Sequence, residues 1–396
     1  MAGPARFEIQ GQVSPEFEPV RLAFEDNFAR RGELGGAVCV YRHGDCVVDL
    51  WGGIRDAETG APWEKDTMVL VFSATKGLAA MTIALAHSRG WLDYEARVAD
   101  YWPEFARNGK EAVTVRQLLS HQAGLHAFAG KVGREEIADL DRLAAIMAEE
   151  RPEWEPGTRN AYHAITLGFY EGELLRRIDP GHRSLGRFFQ EEIADPLGLE
   201  FYIRLPEDIP DARLARLRMP GIVRSLLGLP LPTLVKALTP GSAFARAFMS
   251  NPGTVVPLDE SRIYARELEV PSGGGVGTAR AIARAYGVFA TGGKELGLRP
   301  ETLAALEAPA EPPSRGAFDE VMRGEAHYSL GFMKPMPGFD FGHEGAFGAP
   351  GAGGSMGYAD AATGLGYGYV TNRMGTGITA DPRDVALRAA IASVTG

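Results

Sequence analysis

The sequence has few cysteines, no excess of basic residues and no long apolar run. Its 396 residues include only two cysteines, which excludes a disulfide framework of the kind found in small secreted proteins. Acidic residues outnumber basic ones by 51 to 41, and the formal net charge of -10 opposes binding to nucleic-acid phosphates. No stretch reaches the roughly 18 uncharged apolar residues that a membrane-spanning helix needs. Neither nucleic-acid binding nor an integral membrane segment is therefore expected.

The two cysteines, Cys39 and Cys46, flank a predicted turn at His43-Gly44-Asp45. A thiol pair in a reducing cytosol, or simply two small apolar residues on strands, explains them better than a disulfide does. The first ten residues contain no apolar segment of the kind found in a secretory signal. A cytoplasmic location is the expectation.

The residues that are present are those of an ordinary globular protein. Apolar residues make up 45% of the chain and charged residues 23%, and a chain of this length usually forms more than one structural region. Two β-branched runs in residues 35–53, separated by a Gly-Asp turn, predict a hairpin. Short strand patterns return near the C-terminus, whereas residues 95–250 carry mainly helical periodicity.

We therefore predict an α/β fold of the α+β kind, in which an antiparallel sheet is flanked by helices and a second domain is helical. The sheet domain is discontinuous and consists of residues 1–90 and 252–396, and residues 91–251 form the helical domain. Within the helical domain, the segment Leu214–Met249 is apolar but interrupted by prolines. It forms either a cap over an apolar pocket or a peripheral pair of helices, and the sequence favours neither.

The first candidate for chemistry is Ser73-Ala74-Thr75-Lys76, at the start of a predicted helix that ends at Gly90. A lysine three positions after a serine lies on nearly the same helical face, about 4.5 Å further along the axis. Lysine becomes a useful base only when burial or neighbouring charge lowers its pKa. The apolar residues before Ser73 favour such burial. A capping serine followed by a solvated lysine would nevertheless give the same four residues.

The rest of the chain favours the catalytic interpretation, because a series of further segments follows one known pattern. Together they resemble the serine β-lactamase and penicillin-binding-protein superfamily, and most closely its esterase branch, the family VIII carboxylesterases. Each segment is a weak signal alone, but the set spans most of the chain in the family's order. The segments are LWGG at 50–53, FSATKG at 72–77, VTVRQLLSHQAGL at 113–125, EPGTRNAYHAITLG at 155–168, EEIADPLGL at 191–199, SGGGVGTARAIAR at 272–284, and GGSMGYAD and YVTNR near the end.

The resemblance implies a pocket formed by three motifs. Ser73 is the nucleophile and Lys76 its base, and Tyr162 opens the second motif as a relay that moves a proton between nucleophile, lysine and leaving group. The sequence His343-Glu344-Gly345 is the best match to the third motif, which lies on a strand beside the serine. The N–H groups of Ser73 and Ala346 then form the oxyanion hole.

Two positions depart from the β-lactamase pattern. Ala164 stands where those enzymes keep an asparagine, and Glu344 follows a histidine instead of a lysine, so contacts to the amide and carboxylate of a lactam are missing or altered. Efficient lactam hydrolysis is therefore not expected. The register of the third motif also stays open, because Pro350-Gly351-Ala352 in the glycine-rich stretch that follows fits the same role.

Other patterns support different chemistries less well. Ser355 lies in a G-x-S-x-G sequence, but no histidine follows it and its surroundings predict strands instead of a strand-to-helix elbow. Residues 272–277 lack the G-x-G-x-x-G spacing of a dinucleotide site. No zinc-binding pattern occurs, and we expect the dispersed histidines to be structural or solvated: His87, His121, His126 and His182.

The sequence thus predicts a serine carboxylesterase that acts on a small-molecule ester without a cofactor or a metal. The resemblance further implies a short acyl chain. The enzyme alternatives are a transacylase, a weak β-lactamase and a D-aminoacyl peptidase. A non-catalytic penicillin-binding-like module is an alternative of another class, although the serine, lysine and tyrosine are all present. The sequence makes no prediction of the oligomeric state.

Overall fold

The strands of the computed structural model come mainly from the two ends of the chain. The structure describes residues 8–220, 235, 239, 241–249, 266–376 and 380–396. The strands in these residues are Ile9–Val13 (β1), Gly35–Arg42 (β2), Asp45–Gly53 (β3), Val69–Leu70 (β4), Phe201–Tyr202 (β5), Val276–Gly277 (β6), Tyr328–Ser329 (β7), Phe332–Met333 (β8), Phe347–Pro350 (β9), Met356–Asp360 (β10) and Leu365–Thr371 (β11).

Eight strands of the described chain form one antiparallel sheet in the order β1-β3-β2-β11-β10-β9-β8-β7. The N-terminal hairpin β2-β3 lies beside the C-terminal strand β11, with Val38 opposite Tyr369. The three short strands β4, β6 and β5 form a separate sheet in that order. The predicted hairpin and the sheet built from distant segments are both confirmed.

Most of the described residues between β4 and β6 are helical or irregular. The α-helices of the described chain are Glu18–Arg30 (α1), Thr75–Ser88 (α2), Val98–Tyr101 (α3), Val115–Leu119 (α4), Arg134–Ala138 (α5), Leu140–Glu149 (α6), Thr166–Ile178 (α7), Leu185–Phe189 (α8), Asp195–Leu197 (α9), Ala243–Met249 (α10), Ala279–Ala290 (α11), Pro300–Glu307 (α12) and Pro382–Thr395 (α13). A π-helical turn, Gln190–Ala194, joins α8 to α9.

Helices cover both faces of the sheet, and β11 contacts a helix on each face. A Cβ on Gly366 would lie 2.1 Å from the backbone nitrogen of Gly287 in α11, so that helix packs directly on the strand. Tyr367 points to the opposite face, and its hydroxyl donates to Asp384 of α13 at 2.9 Å. As predicted, the antiparallel sheet is flanked by helices.

The predicted helix cap at Thr278 and two unpaired cysteines are both found in the structure. The Thr278 hydroxyl accepts the Ala281 N–H at 3.1 Å and caps α11, as expected. Cys39 and Cys46 are free thiols with their sulfur atoms 3.8 Å apart. Much of the segment Leu214–Met249, namely 221–234, 236–238 and 240, lies outside the described residues. Among the described helices, none has the length and apolarity needed to cross a membrane.

A buried ionic cluster holds the C-terminal helix to the sheet. Arg383 at the start of α13 donates to Glu33 at 2.9 Å and to Asp381 at 2.8 Å. Thr371 of β11 also donates to Glu33, at 2.7 Å, and all four side chains are buried. Breaking such a pair leaves an uncompensated charge in the interior.

We predict that Arg383→Met lowers the free energy of unfolding by about 3–5 kcal/mol, because Glu33 and Asp381 then lose their shared cation. Arg30→Met is the matched control, since its 3.4 Å ion pair with Asp26 is solvent-exposed and contributes less than about 1 kcal/mol. Urea unfolding followed by tryptophan fluorescence measures both. Equal midpoints for the two variants would contradict the importance of the cluster.

Candidate active site

Ser73 lies in the 3₁₀ turn Phe72–Ala74 that leads into α2. At this position its N–H belongs to the first turn of the helix, where backbone N–H groups have no acceptor within the helix. Phe72 has a φ of +48°, which is strained for a bulky residue and costs on the order of 1–3 kcal/mol. Such strain concentrates at functional sites, and here it immediately precedes a half-buried serine.

Lys76 is one helical turn further along α2, and its side chain is buried. Its Nζ lies 3.2 Å from Ser73 Oγ and donates to the carbonyl oxygens of Ala164 and Ser272, each at 2.7 Å. A neutral amine has two N–H bonds and one lone pair. With both N–H bonds directed at carbonyls, the lone pair of a neutral Lys76 faces the Ser73 hydroxyl. This is the arrangement of a base and the proton it accepts.

Burial also alters the proton affinity of Lys76. Desolvation of the ammonium lowers the pKa of Lys76 to about 7, and the carboxyl of Glu171 opposes this shift. Glu171 is itself buried on α7, which raises its pKa to about 8, and neither of its carboxyl oxygens has a hydrogen-bond partner among the described residues. A large fraction of Lys76 is therefore neutral near neutral pH.

Tyr162 completes the set, because its hydroxyl forms a hydrogen bond with Ser73. Burial raises the pKa of Tyr162 to about 12, so the group is a phenol and not a phenolate at ordinary pH. Lys76 Nζ lies 5.0 Å from the centre of the Tyr162 ring. The structure thus brings together the three side chains that the sequence predicted to act together.

The structure does not bring His343, Gly345 and Ala346 to Ser73. The His343 side chain is exposed and pairs with Asp360 at the end of β10, with 2.9 Å between Nδ1 and Oδ2. The Gly345 carbonyl accepts from Lys334 at 3.0 Å. The Ala346 N–H already donates to the His343 carbonyl at 2.8 Å within a turn, so this N–H is not free to bind an oxyanion.

The alternative register, Pro350-Gly351-Ala352, lies beside the serine. A Cβ on Gly351 would stand 2.1 Å from the Val71 carbonyl oxygen and 3.2 Å from the Ala74 nitrogen, so only glycine allows this approach. The Ala352 N–H has no hydrogen-bond acceptor among the described residues. Pairing of Pro350 with Met356 of β10 fixes the position. The geometry therefore favours Ala352 over Ala346 as the strand donor beside Ser73.

Ser355 lies in the connection between β9 and β10. Its carbonyl accepts the Gly351 N–H at 2.6 Å and closes a tight turn. Strands stand on both sides of it, so the strand-to-helix elbow that a G-x-S-x-G nucleophile requires is missing here. In the structure, Ser355 shapes the loop next to Gly351.

The described end of the segment Leu214–Met249 reaches the same site. Phe248 of α10 packs against Tyr162, with ring centres 6.2 Å apart. Arg246 on the same helix forms an ion pair with Glu153 and anchors α10 to the loop before Tyr162. This placement favours the cap interpretation for the described end of the segment. Sequence reasoning missed Phe248, although its i, i+4 spacing from Phe244 is a recognisable aromatic pair.

Comparison with known proteins places this geometry in context. The profile of the family described as Beta-lactamase matches residues 21–391. The esterase/β-lactamase LipL of Mycobacterium tuberculosis is 34% identical over 380 residues, which are 92% of this chain and 83% of LipL. A crystal structure of a family VIII carboxylesterase is 37% identical with a TM-score of 0.85, covering 98% of this chain and 100% of that chain. A penicillin-binding-protein homologue from Caulobacter crescentus is 36% identical, with the same TM-score and coverage.

The pKa of Lys76 predicts a pH dependence for the reactivity of Ser73. Below about pH 7 Lys76 is protonated and accepts no proton, so labelling of Ser73 by a fluorophosphonate should accelerate as the pH rises through that value. Tyr162 stays protonated over the same interval because its pKa is about 12. Lys76→Met should lose nearly all labelling while it keeps the fold.

Glu171→Gln provides the control for this assignment. The pKa of about 8 keeps Glu171 mostly protonated where Lys76 titrates, so the amide variant should keep the rise in labelling rate near pH 7. The rate of labelling, measured by intact-protein mass spectrometry at a series of pH values, tests both variants. Loss of the pH-dependent rise in Glu171→Gln, or rapid labelling of Lys76→Met, would contradict Lys76 as the base.

Proposed function

Because this chain belongs to the β-lactamase family, we propose that it is a serine carboxylesterase that hydrolyses esters with short acyl chains through an acyl-enzyme on Ser73. The observation that carries the proposal is the contact set of Ser73 with Lys76 and Tyr162. The buried Lys76 amine stands 3.2 Å from the Ser73 hydroxyl, and the Tyr162 phenol forms a hydrogen bond with that same hydroxyl. Two relatives named as esterases and a solved structure named as a carboxylesterase support the choice of ester as substrate.

In the acylation step, Ser73 Oγ attacks the ester carbonyl carbon and its proton passes to Lys76 Nζ. The N–H groups of Ser73 and Ala352 stabilise the resulting oxyanion. As the carbon–oxygen bond to the alcohol breaks, a proton returns from Lys76 through the Tyr162 hydroxyl to the leaving alkoxide. The products of this step are the free alcohol and an acyl-Ser73 ester.

Deacylation uses the same groups with water in place of the alcohol. Lys76, neutral again after its proton has left with the alcohol, accepts a proton from the attacking water by way of Tyr162. The carbonyl reforms, the bond to Ser73 Oγ breaks, and the proton on Lys76 returns to the serine. The acid is released and the starting state is restored, so no cofactor enters the cycle.

The side chains around the site support esters over lactams as substrates. Ala164 presents only a methyl group, while its carbonyl is engaged by Lys76. Beside Ser73 the strand carries Ala349 and Pro350, neither of which has a charge to bind the carboxylate of a lactam. An ester needs none of these contacts, because its acyl and alcohol groups carry no fixed charge.

A transacylase and a non-catalytic binding module are the alternatives to an esterase. A transacylase differs only in the acceptor, since an alcohol takes the place of water in the second step. A binding module without catalysis has no need of a buried lysine with a lowered pKa directed at a serine. The convergence of the three side chains therefore supports an enzyme.

We predict that kcat/KM for p-nitrophenyl butyrate exceeds that for a chromogenic cephalosporin by on the order of 100-fold. Each missing hydrogen bond to a charged or polar substrate group corresponds to about 1.5–3 kcal/mol, or roughly one to two powers of ten. Parallel steady-state assays measure both substrates, and Ser73→Ala serves as the blank. Equal or higher efficiency with the cephalosporin would overturn the esterase assignment, and an ester product formed with added alcohol would indicate a transacylase.

A further inference from the structure

One buried histidine, His121, holds the chain on both sides of Tyr162. Its carbonyl oxygen accepts the Ala161 N–H at 3.0 Å, and its ring Nδ1 accepts the His163 N–H at 2.9 Å. The ring also packs on the Tyr162 ring, with centres 5.0 Å apart. The residues before and after Tyr162 are thus both hydrogen-bonded to His121.

The surrounding hydrogen bonds fix the protonation of this histidine. The neighbouring ring of His163 donates from Nδ1 to the Ala161 carbonyl at 2.7 Å and accepts the Leu125 N–H at Nε2, 3.2 Å away. His163 is therefore a neutral ring with its proton on Nδ1. Because His121 Nδ1 accepts a backbone N–H, the proton of its own neutral ring lies on Nε2. Adding a proton to His121 Nδ1 would remove the bond to His163.

The backbone of His121 is shaped for this contact. It lies two residues after the end of α4 and has a φ of +60°, a conformation that is uncommon for non-glycine residues and in which asparagine, aspartate and histidine are enriched. This conformation allows one residue to direct both its carbonyl and its ring at the segment around Tyr162. Sequence analysis expected His121 to be structural or solvated, and only the tertiary structure shows which segment it holds.

A third group binds the remaining N–H of the segment. The buried carboxylate of Asp319 accepts the Tyr162 N–H, and it also accepts the Tyr328 hydroxyl at 3.0 Å. The Tyr328 ring stacks on Tyr162 with 6.0 Å between centres. The backbone N–H groups of residues 161, 162 and 163 are therefore all hydrogen-bonded, two of them to His121. The Tyr162 ring also has aromatic neighbours on more than one side.

We propose that His121 is a positioning residue for Tyr162, which fixes the phenol hydroxyl where it reaches both Ser73 and the leaving group. This inference rests on the proposed function, since it assigns a task within the same proton relay. A proton relay is sensitive to small displacements, because a shift of about 1 Å reduces the rate by roughly 100-fold. His121 does not serve as a proton carrier, because its carbonyl oxygen and its ring Nδ1 both accept backbone N–H groups.

The test compares three substitutions that separate the acceptor from the backbone conformation. His121→Asn keeps an acceptor near the position of Nδ1 and tolerates a positive φ, so kcat should fall by less than about 5-fold. His121→Gly tolerates the same φ without an acceptor, and kcat should fall by about 10- to 100-fold while KM changes much less. His121→Gln carries its amide further out, near the position of Nε2, and should behave like the glycine variant.

A double-mutant cycle with Tyr162→Phe shows whether His121 acts through the tyrosine hydroxyl. If it does, His121→Gly should change kcat less than about 2-fold in the Tyr162→Phe background, because the group it positions is already gone. An equal loss in both backgrounds, or an asparagine variant as slow as the glutamine variant, would overturn the proposal. The asparagine and glutamine pair carries the comparison if the glycine variant does not fold.

Failure of the proposed function is distinguishable from failure of this inference. If the proposed function is wrong, the wild-type protein shows no ester turnover, whatever residue stands at position 121. In that event the same cycle is measured as the rate at which a fluorophosphonate labels Ser73, which also depends on proton removal from the serine. Additive effects in that cycle overturn the positioning role, and non-additive effects support it.

Discussion

The site depends on a buried lysine whose amine forms no hydrogen bond with a carboxylate of the described chain. Lys76 donates to two carbonyls, Ala164 and Ser272, that lie 108 positions apart in sequence. Ser272 keeps its place because its hydroxyl bridges Ile165 and Gly168 at the start of α7, at 2.7 Å each. The desolvation that lowers the pKa of Lys76 therefore requires α2, α7 and the segment before β6 to be packed together.

The sheet contributes the other side of the site through close backbone approach. Gly351 abuts Val71 just before the serine, and the loop that follows is held by Arg383, which donates to the Gly353 carbonyl at 2.9 Å. The buried ionic cluster of Arg383 thus stabilises the fold and also fixes the loop next to the strand donor. Tyr162 is held separately by His121 and Asp319, so each functional group has its own support.

Sequence reasoning succeeded where the information is local or carried by a motif. The spacing of Ser73 and Lys76 on one helix, the hairpin at 35–53 and the Thr278 cap all depend on neighbouring residues. It took His343 as the start of the best match to the third motif and left the register at Pro350–Ala352 open, because the position beside Ser73 is set by the pairing of β9 with β10. The roles of His121 and Asp319 depend on contacts between distant segments, which no spacing in the sequence indicates.

The central claim is that Ser73 carries the acyl group, and peptide mapping of a trapped acyl-enzyme tests it most directly. After incubation with a slowly released ester, mass spectrometry should find the acyl group on the peptide that contains Ser73. Ser73→Ala should abolish the adduct and lower kcat by several orders of magnitude, whereas Ser355→Ala should retain the adduct at Ser73. An adduct on Ser355, together with an active Ser73→Ala variant, would contradict the account.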